Sequence, residues 1–289
     1  MSTPTAVRGH PGRRARVSRS IRAGGRAAGV AAILLFTLFP VYFMLSSAFS
    51  GRMTSAVGAL VPRDPTVDNF THVLTEGAFG TYMLNSLAVA AITVVGACTL
   101  SLLAAVAVAR FRFRFRTAIL ILVLIVQMIP LEALVIPLFL QVRDLRLLNT
   151  LLGLGLAYIA LSLPLAVWMM RGFAAAVPRE VEEAAYVDGA SWPVMFWRVL
   201  FPLVAPGLVA TAIFSFVIAW NEFVLALTFM QQSDKYTVAV GLRQFFGEYS
   251  HEWGHVMAAS TLITLPVMAF FVLVQRWLAF GLVQGAVKG

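Results

Sequence analysis

An all-α bundle of six membrane-spanning helices is the fold this chain predicts, and three observations predict it. Of its 289 residues 60% are hydrophobic and only 12% charged, about half the charge of a water-soluble domain. Apolar stretches long enough to cross a bilayer as helix, about 20 residues each, recur along the chain. They are apolar on all sides and lack the alternation of ten-residue membrane strands. Helix is then the form that satisfies each segment's backbone amides internally.

The spans fall at residues 30–50, 84–109, 117–140, 148–170, 207–230 and 257–280. Residues 1–29, rich in Arg, Gly, Ser and Pro, read as a disordered basic segment. With the apolar run that follows they mimic a secretory signal. That run is long for a signal core and five further spans follow, so an uncleaved first helix is expected. Cys98 in the second span is the sole cysteine, which excludes an intrachain disulfide. Pro130 and Pro137 interrupt regular helical bonding in the third. A polar loop with four acids between Glu180 and Asp188 separates the fourth span from the fifth. Residues 282–289 form a short tail. No repeat of 20 to 50 residues occurs, so residues 30–281 read as one domain with its core at about 80–277.

Lysine and arginine set the orientation. A cytoplasmic N-terminus puts sixteen of them on the inner side, among them Arg110, Arg112, Arg114, Arg116, Arg171, Arg179 and Arg198, against six outside. Both termini and the acid-rich loop are therefore expected in the cytoplasm. The net charge of +9 reports topology and contact with membrane lipid; no nucleic-acid partner is expected, because the N-terminal arginines abut a spanning segment.

The loop at 178–206 carries a spaced pattern: Glu183-Ala184-Ala185, three residues, Gly189, nine residues, then Val199 two places before Phe201-Pro202. It resembles the cytoplasmic loop of ABC-importer permeases. Further pieces are similar to the maltose-transporter type of sugar permease, its smaller subunit in particular. These are Asn85-Ser86-Leu87, Ile136-Pro137-Leu138-Phe139, Leu148-Asn149-Thr150, Val177-Pro178-Arg179-Glu180, Trp220-Asn221-Glu222-Phe223 and the closing Gly285-Ala286-Val287-Lys288-Gly289. The likeness covers residues 30–289 and implies the type I ABC importer permease fold. It implies half of a transmembrane path for carbohydrate, a second and different permease subunit, two cytoplasmic ATP-binding subunits and an extracytoplasmic sugar-binding protein. It implies no cofactor.

Physical chemistry makes sense of the pattern. Acids from Glu180 to Glu183 suit a helix N-terminus, small Ala184 and Ala185 permit close approach, and Gly189 ends the short helix or lets a partner backbone approach. Pro202 and Pro206 mark entry to the fifth span. Glu182, Glu183, Ala184, Ala185, Asp188, Gly189 and Pro202 are the expected ATPase-coupling set. Thr211, Ser215 and Glu222 share a helical face, and an acid in hydrocarbon must face protein or water. With Asn221, Gln127 and Glu132 they are the expected path or gate lining; interhelical hydrogen bonding is the alternative for each.

Arg243, Phe245, Phe246, Tyr249 and Trp253 form an external loop suited to stacking on sugar faces and touching a binding protein, or to an interfacial aromatic belt. Gln284, Gly285 and Lys288 belong to a tail expected to insert between the ATPase subunits, as an alternative to a frayed end. His251-Glu252-Trp253-Gly254-His255 is a literal H-E-x-x-H, the zinc-protease pattern. Gly254 weakens that helix and no His, Asp or Glu follows His255, so no metal site is expected. Neither lysine completes a G-x-x-x-x-G-K-[ST] phosphate loop; ATP chemistry must come from a partner, and the chain is expected to be a transport subunit, not an enzyme. The other readings are an ABC permease for a polyamine or phosphate, an ion-driven carrier using Glu132 and Glu222, and a membrane zinc protease.

Overall fold

The computed structural model describes residues 13–51, 60–62, 64–75, 78–245 and 253–285. Helix dominates them. The long elements are α1 (Arg13–Ala48), α3 (Phe79–Arg110), α6 (Leu151–Ala176), α9 (Phe201–Asn221) and α12 (Trp253–Gly285). Between them lie α2 (Asp68–Thr75), α4 (Arg116–Gln127), α5 (Leu131–Asp144), α7 (Arg179–Val187), α8 (Trp192–Met195), α10 (Val224–Phe229) and α11 (Val238–Leu242).

Five helical stretches among the described residues are long and apolar enough to cross a bilayer: Gly24–Ala48, Phe79–Arg110, Leu151–Ala176, Trp192–Asn221 and Trp253–Gln275. Counting the bent pair α4–α5 as one span gives six.

The centre of the bundle is α3, α6 and α9 packed together. Lipid tails are as apolar as leucine, so helices associate through close packing of small residues. Here the contact is reciprocal. A Cβ on Gly96 of α3 would fall 2.2 Å from Ile159 of α6, and one on Gly155 of α6 would fall 2.6 Å from Ile92 of α3. Each isoleucine fills the notch left by the other helix's glycine. Gly207 of α9 likewise receives the ring of Phe173, 2.5 Å from where its Cβ would stand.

On either side of this waist the buried side chains form two clusters. One joins Phe79, Tyr82, Leu154, Tyr158, Leu225 and Phe229. The other joins Ala105, Met170, Ala174, Phe196, Leu200 and Val204. By contrast α1 leans mainly along α12, and its most apolar window is not buried within this chain, the burial beginning only at Ser46, Ser47 and Ala48.

The structure corrects three expected boundaries. The third span is not one helix: α4 and α5 are bent 103° apart. Pro130 sits at the start of α5 with ψ 137°, and its ring disfavours helical geometry in the residue before it, so α4 stops at Gln127. Neither piece, of 12 and 14 residues, could cross about 30 Å of hydrocarbon alone.

The fifth span begins and ends early, running from Trp192 to Asn221. Pro202 does not open it. The chain is already helical there and passes through a π-turn, Phe196–Leu200, where the Phe201 amide bonds back to the Phe196 carbonyl. Proline lacks an N–H and its ring collides with the carbonyl four residues back; the wider turn absorbs that defect. Finally, residues 13–29, expected to be disordered, form the first turns of α1.

Candidate functional site

The loop between α6 and α9 is built as a rigid unit. Val177 and Pro178 turn the chain with extended backbone (ψ 120° and 143°), and α7 starts at Arg179 with Glu180 and Glu182 in its first turn, where the helix dipole favours anions. The helix closes with a Schellman motif. The Gly189 amide bonds to the Tyr186 carbonyl at 3.0 Å and the Ala190 amide to the Ala185 carbonyl at 2.9 Å. Ala185 and Ala190 pack together against the second buried cluster, supplying the apolar contact of that motif.

Gly189 has φ 83° and open space around its Cβ position, so glycine is required by backbone conformation and not by crowding. Gly189→Ala is expected to cost about 1–2 kcal/mol, with Gly189→Asn milder because asparagine tolerates the left-handed region. Faster protease nicking of the loop in the alanine variant than in the asparagine variant checks this.

Two arginines bolt the loop to the bundle. Arg110, the last residue of α3, donates from Nε to Glu182 Oε1 at 2.5 Å and from Nη2 to the Val177 carbonyl at 3.1 Å. In return Arg179 donates from Nη2 to the carbonyls of Ala109 and Arg110 at 3.5 and 3.3 Å. Each guanidinium thus satisfies backbone carbonyls at a helix C-terminus, Val177 after α6 and Ala109 and Arg110 at the end of α3, where no intrahelical donor is available. The Arg110 and Glu182 side chains are 11% and 10% exposed. Glu182, grouped with the outward coupling residues on sequence, therefore faces inward and anchors α7.

The outward surface is different in kind. Glu183, Ala184, Asp188 and Gly189 are exposed, beside Val187 at 87% and Trp197 at 60% exposure. Pro202 is exposed further along. Trp192 stacks on Phe196 at 5.3 Å, and Trp197 meets Phe196 and Phe201 at 5.0 and 5.1 Å, an aromatic row that stiffens the π-turn. A cavity of about 240 Å³ lies between this loop and the end of α3, walled by Arg110, Phe111, Arg179, Glu183, Tyr186 and Trp192.

The residues expected to line a path do not come together. Thr211 and Ser215 are fully buried, and Thr211 Oγ1 donates to the Gly207 carbonyl at 2.8 Å. Glu222 lies just past the end of α9. Its carboxylate accepts from the amides of Val224 (2.9 Å), Leu225 (3.0 and 3.1 Å) and Ala226 (3.2 Å), and from the Tyr158 hydroxyl at 2.7 Å. It is the cap that starts α10, so the expected continuous helical face through Thr211, Ser215 and Glu222 is corrected. Asn221 is exposed and donates to the Val217 carbonyl at 2.9 Å. Gln127 and Glu132 are exposed on either side of the α4–α5 bend. Gln127 opens on a mainly apolar cleft of about 520 Å³ bounded by Ile129, Leu161, Pro164, Phe214 and Ile218.

On the opposite face, residues without an assigned role on sequence form clamps. Asn85 Nδ2 donates to the carbonyls of Asp234 and Tyr236 at 2.9 and 3.0 Å, and Ser86 Oγ accepts from the Val238 amide at 2.9 Å. The Asn149 side chain accepts from the amides of Gln231 and Gln232, and its own amide donates to the Phe229 carbonyl. Tyr82 packs on Gly241 and donates to Gln244 at 2.9 Å. Together they pin residues 230–244 across the mouths of α3 and α6. The family-like Asn-Ser and Leu-Asn-Thr triplets were the available signal for these positions.

Phe245 sets its edge against Phe79 at 6.2 Å and Arg243 is exposed; Phe246 and Tyr249 lie outside the described residues. Trp253 opens α12. Next to it, Gly254 lies against the Asn69 amide, 2.7 Å from where its Cβ would stand, and His255 stacks on His72 at 3.9 Å. That half of the H-E-x-x-H packs on α2; His251 and Glu252 lie outside the described residues. Gln284 and Gly285 are the last residues of α12, and Lys288 lies outside the described residues.

A multi-pass helical bundle with a stiff loop bolted to one face and a clamped segment across the other has the build of a transporter's membrane subunit. The chain belongs to the binding-protein-dependent transport system inner membrane components, the family that matches residues 97–284. It is 39% identical to the diacetylchitobiose uptake system permease protein DasC of Streptomyces coelicolor over 90% of this chain and 96% of that protein. It is 36% identical to the trehalose transport system permease protein SugB of Mycobacterium tuberculosis over 88% and 93%. In fold it is similar to a chain of a bacterial ABC transporter that imports alginate, with a TM-score of 0.75, 23% identity and coverage of 93% and 99%. It is a transport subunit and not an enzyme.

Proposed function

We propose that this chain is one of two different permease subunits of an ATP-driven importer for carbohydrate, small oligosaccharides in particular. The curated relatives named for diacetylchitobiose and trehalose support the substrate class. The observation that carries the coupling role is the 177–197 segment, bolted inward through Glu182 and presenting Glu183, Ala184, Tyr186, Val187 and Trp197 outward. A moving partner can transmit force only through a loop that does not deform, and this one is tied to the ends of α3 and α6.

The arginine distribution favours placing this loop in the cytoplasm, where two ATP-hydrolysing subunits dock and rock the bundle between inward- and outward-facing states. The clamped 230–245 segment then faces the binding protein on the outside, and the α4–α5 bend with its cleft faces the second permease and the sugar path. The chain's last residues follow α12 toward the ATPase pair.

Val187→Glu tests the reading. It adds charge to the most exposed apolar side chain of α7 without touching the anchor. The assembled transporter is expected to lose about tenfold or more of its uptake of labelled disaccharide, since a buried unpaired charge costs several kcal/mol at an interface. The permease should remain in the membrane at normal level, with the ATPase no longer co-purifying. Unchanged uptake and retained ATPase would remove the coupling role from this face.

A further inference from the structure

The segment joining α3 to α4 reads Arg110-Phe111-Arg112-Phe113-Arg114-Phe115-Arg116, four arginines alternating with three phenylalanines and no acid. Arg110 is consumed by Glu182. Among the described residues the side chains of Arg112, Arg114 and Arg116 have no hydrogen-bond or ion-pair partner. Phe111, Phe113 and Phe115 are 53%, 40% and 65% exposed.

Both flanking helices are apolar spans or span halves, so the connector sits where hydrocarbon gives way to headgroups. Its backbone at Phe111 is extended (φ −97°, ψ 141°), which sends neighbouring side chains to opposite sides, before the chain turns at Arg114 and Phe115 into α4. Orientation alone would call for arginine but not for phenylalanine. An aromatic belt alone would favour Trp and Tyr and would not need the charge. A strip that is apolar and cationic by turns fits a ligand with the same two characters: a phosphate for the guanidinium forks and an acyl region for the rings.

We propose that residues 111–116 form a binding surface for anionic phospholipid headgroups on the coupling-loop side of the membrane. Because Arg110 joins this strip to Glu182, and Phe111 shares a cavity wall with Tyr186 and Trp192, bound lipid sits beside the loop without occupying its outward face. An acidic patch on a docked soluble subunit is the other possible occupant. Three exposed phenylalanines between spanning helices favour lipid.

The test uses the whole transporter in phosphatidylcholine nanodiscs carrying a trace of photoactivatable lipid with either a phosphatidylglycerol or a phosphatidylcholine headgroup. Crosslinks are mapped by mass spectrometry. The glycerol probe is expected to label residues 111–119 about tenfold over the choline probe, given three unpaired arginines at a charged surface. In R112Q/R114Q/R116Q the ratio should fall to about one, with labelling of α1 and α12 unchanged. Equal labelling by both probes in the wild type overturns the proposal, as does a ratio that survives in the triple variant. So does a preference that appears only when the ATPase subunits are stripped away, which would show that protein covers the strip. No outcome depends on sugar transport, so this surface and the proposed function fail separately.

Discussion

Arg110→Ala should uncouple the transporter and soften its loop at once. The substitution strands a carboxylate that is 10% exposed and removes the donor from the Val177 carbonyl; leaving one partner of a buried ion pair unpaired costs about 3–5 kcal/mol. That cost is local to the junction of α3, α6 and α7, so the bundle should still insert. Uptake should fall to background, and protease should cut near residues 177–191. Glu182→Ala should do the same. The discriminating variant is the exchange, Arg110→Glu with Glu182→Arg, which restores the pair but not the hydrogen bond to Val177, and should recover part of the uptake. If the exchange is as inactive as either single variant while the protein is equally abundant, the pair acts through something other than attraction. A further outcome, full uptake by Arg110→Ala, would mean the loop needs no anchor.

Glu222→Ala is expected to show the second large effect, and to show it in stability first. The carboxylate satisfies the amides of Val224, Leu225 and Ala226 together with the Tyr158 hydroxyl. Val224 is exposed, but Leu225, Ala226 and Tyr158 are buried, and each buried donor left unsatisfied costs about 1–3 kcal/mol. A clear fall in the unfolding temperature of the purified complex should accompany loss of uptake. Glu222→Gln, which keeps one acceptor oxygen and gains a donor facing amides, should lie between alanine and wild type. Tyr158→Phe, which removes one bond of the set, should be the mildest. An acid whose task was to carry a proton or line the path would give the reverse order: Glu222→Gln stable yet inactive, with no change in melting.

The Glu222 case shows where reading the chain succeeds and where it stops. A lone acid in an apolar run has to be satisfied, and that much is written in the residues. What satisfies it is not, because a helix that breaks and restarts at Glu222 has the same hydropathy as one that runs through. Pro130 announced an interruption, yet the 103° turn depends on what α5 packs against. On composition the fifth span starts too late, because Pro193, Arg198 and Pro202 break its apolar run, and a π-turn that accommodates a proline has no composition of its own. The left-handed turn at Gly189, by contrast, was legible: the glycine follows a helical stretch and carries the conformation only glycine adopts freely. The inward set of Glu182 was hidden, since two adjacent glutamates differ only in which one meets an arginine 72 residues away. The clamps at Asn85 and Asn149 were visible as motifs without a purpose, for the same reason.

Those clamps bear on how the protein is made. Asn85 reaches partners 149 and 151 residues further along, and Asn149 holds amides 82 and 83 residues on. Contacts of such separation close late, after the intervening chain exists. While the ribosome is still building the fifth span, the mouths of α3 and α6 carry polar side chains with nothing to hold, and the pinned segment cannot yet be present. Closure of that face therefore reports that at least residue 238 has been delivered. A chain cut short before it would leave the side chains of Asn85, Ser86 and Asn149 without these partners.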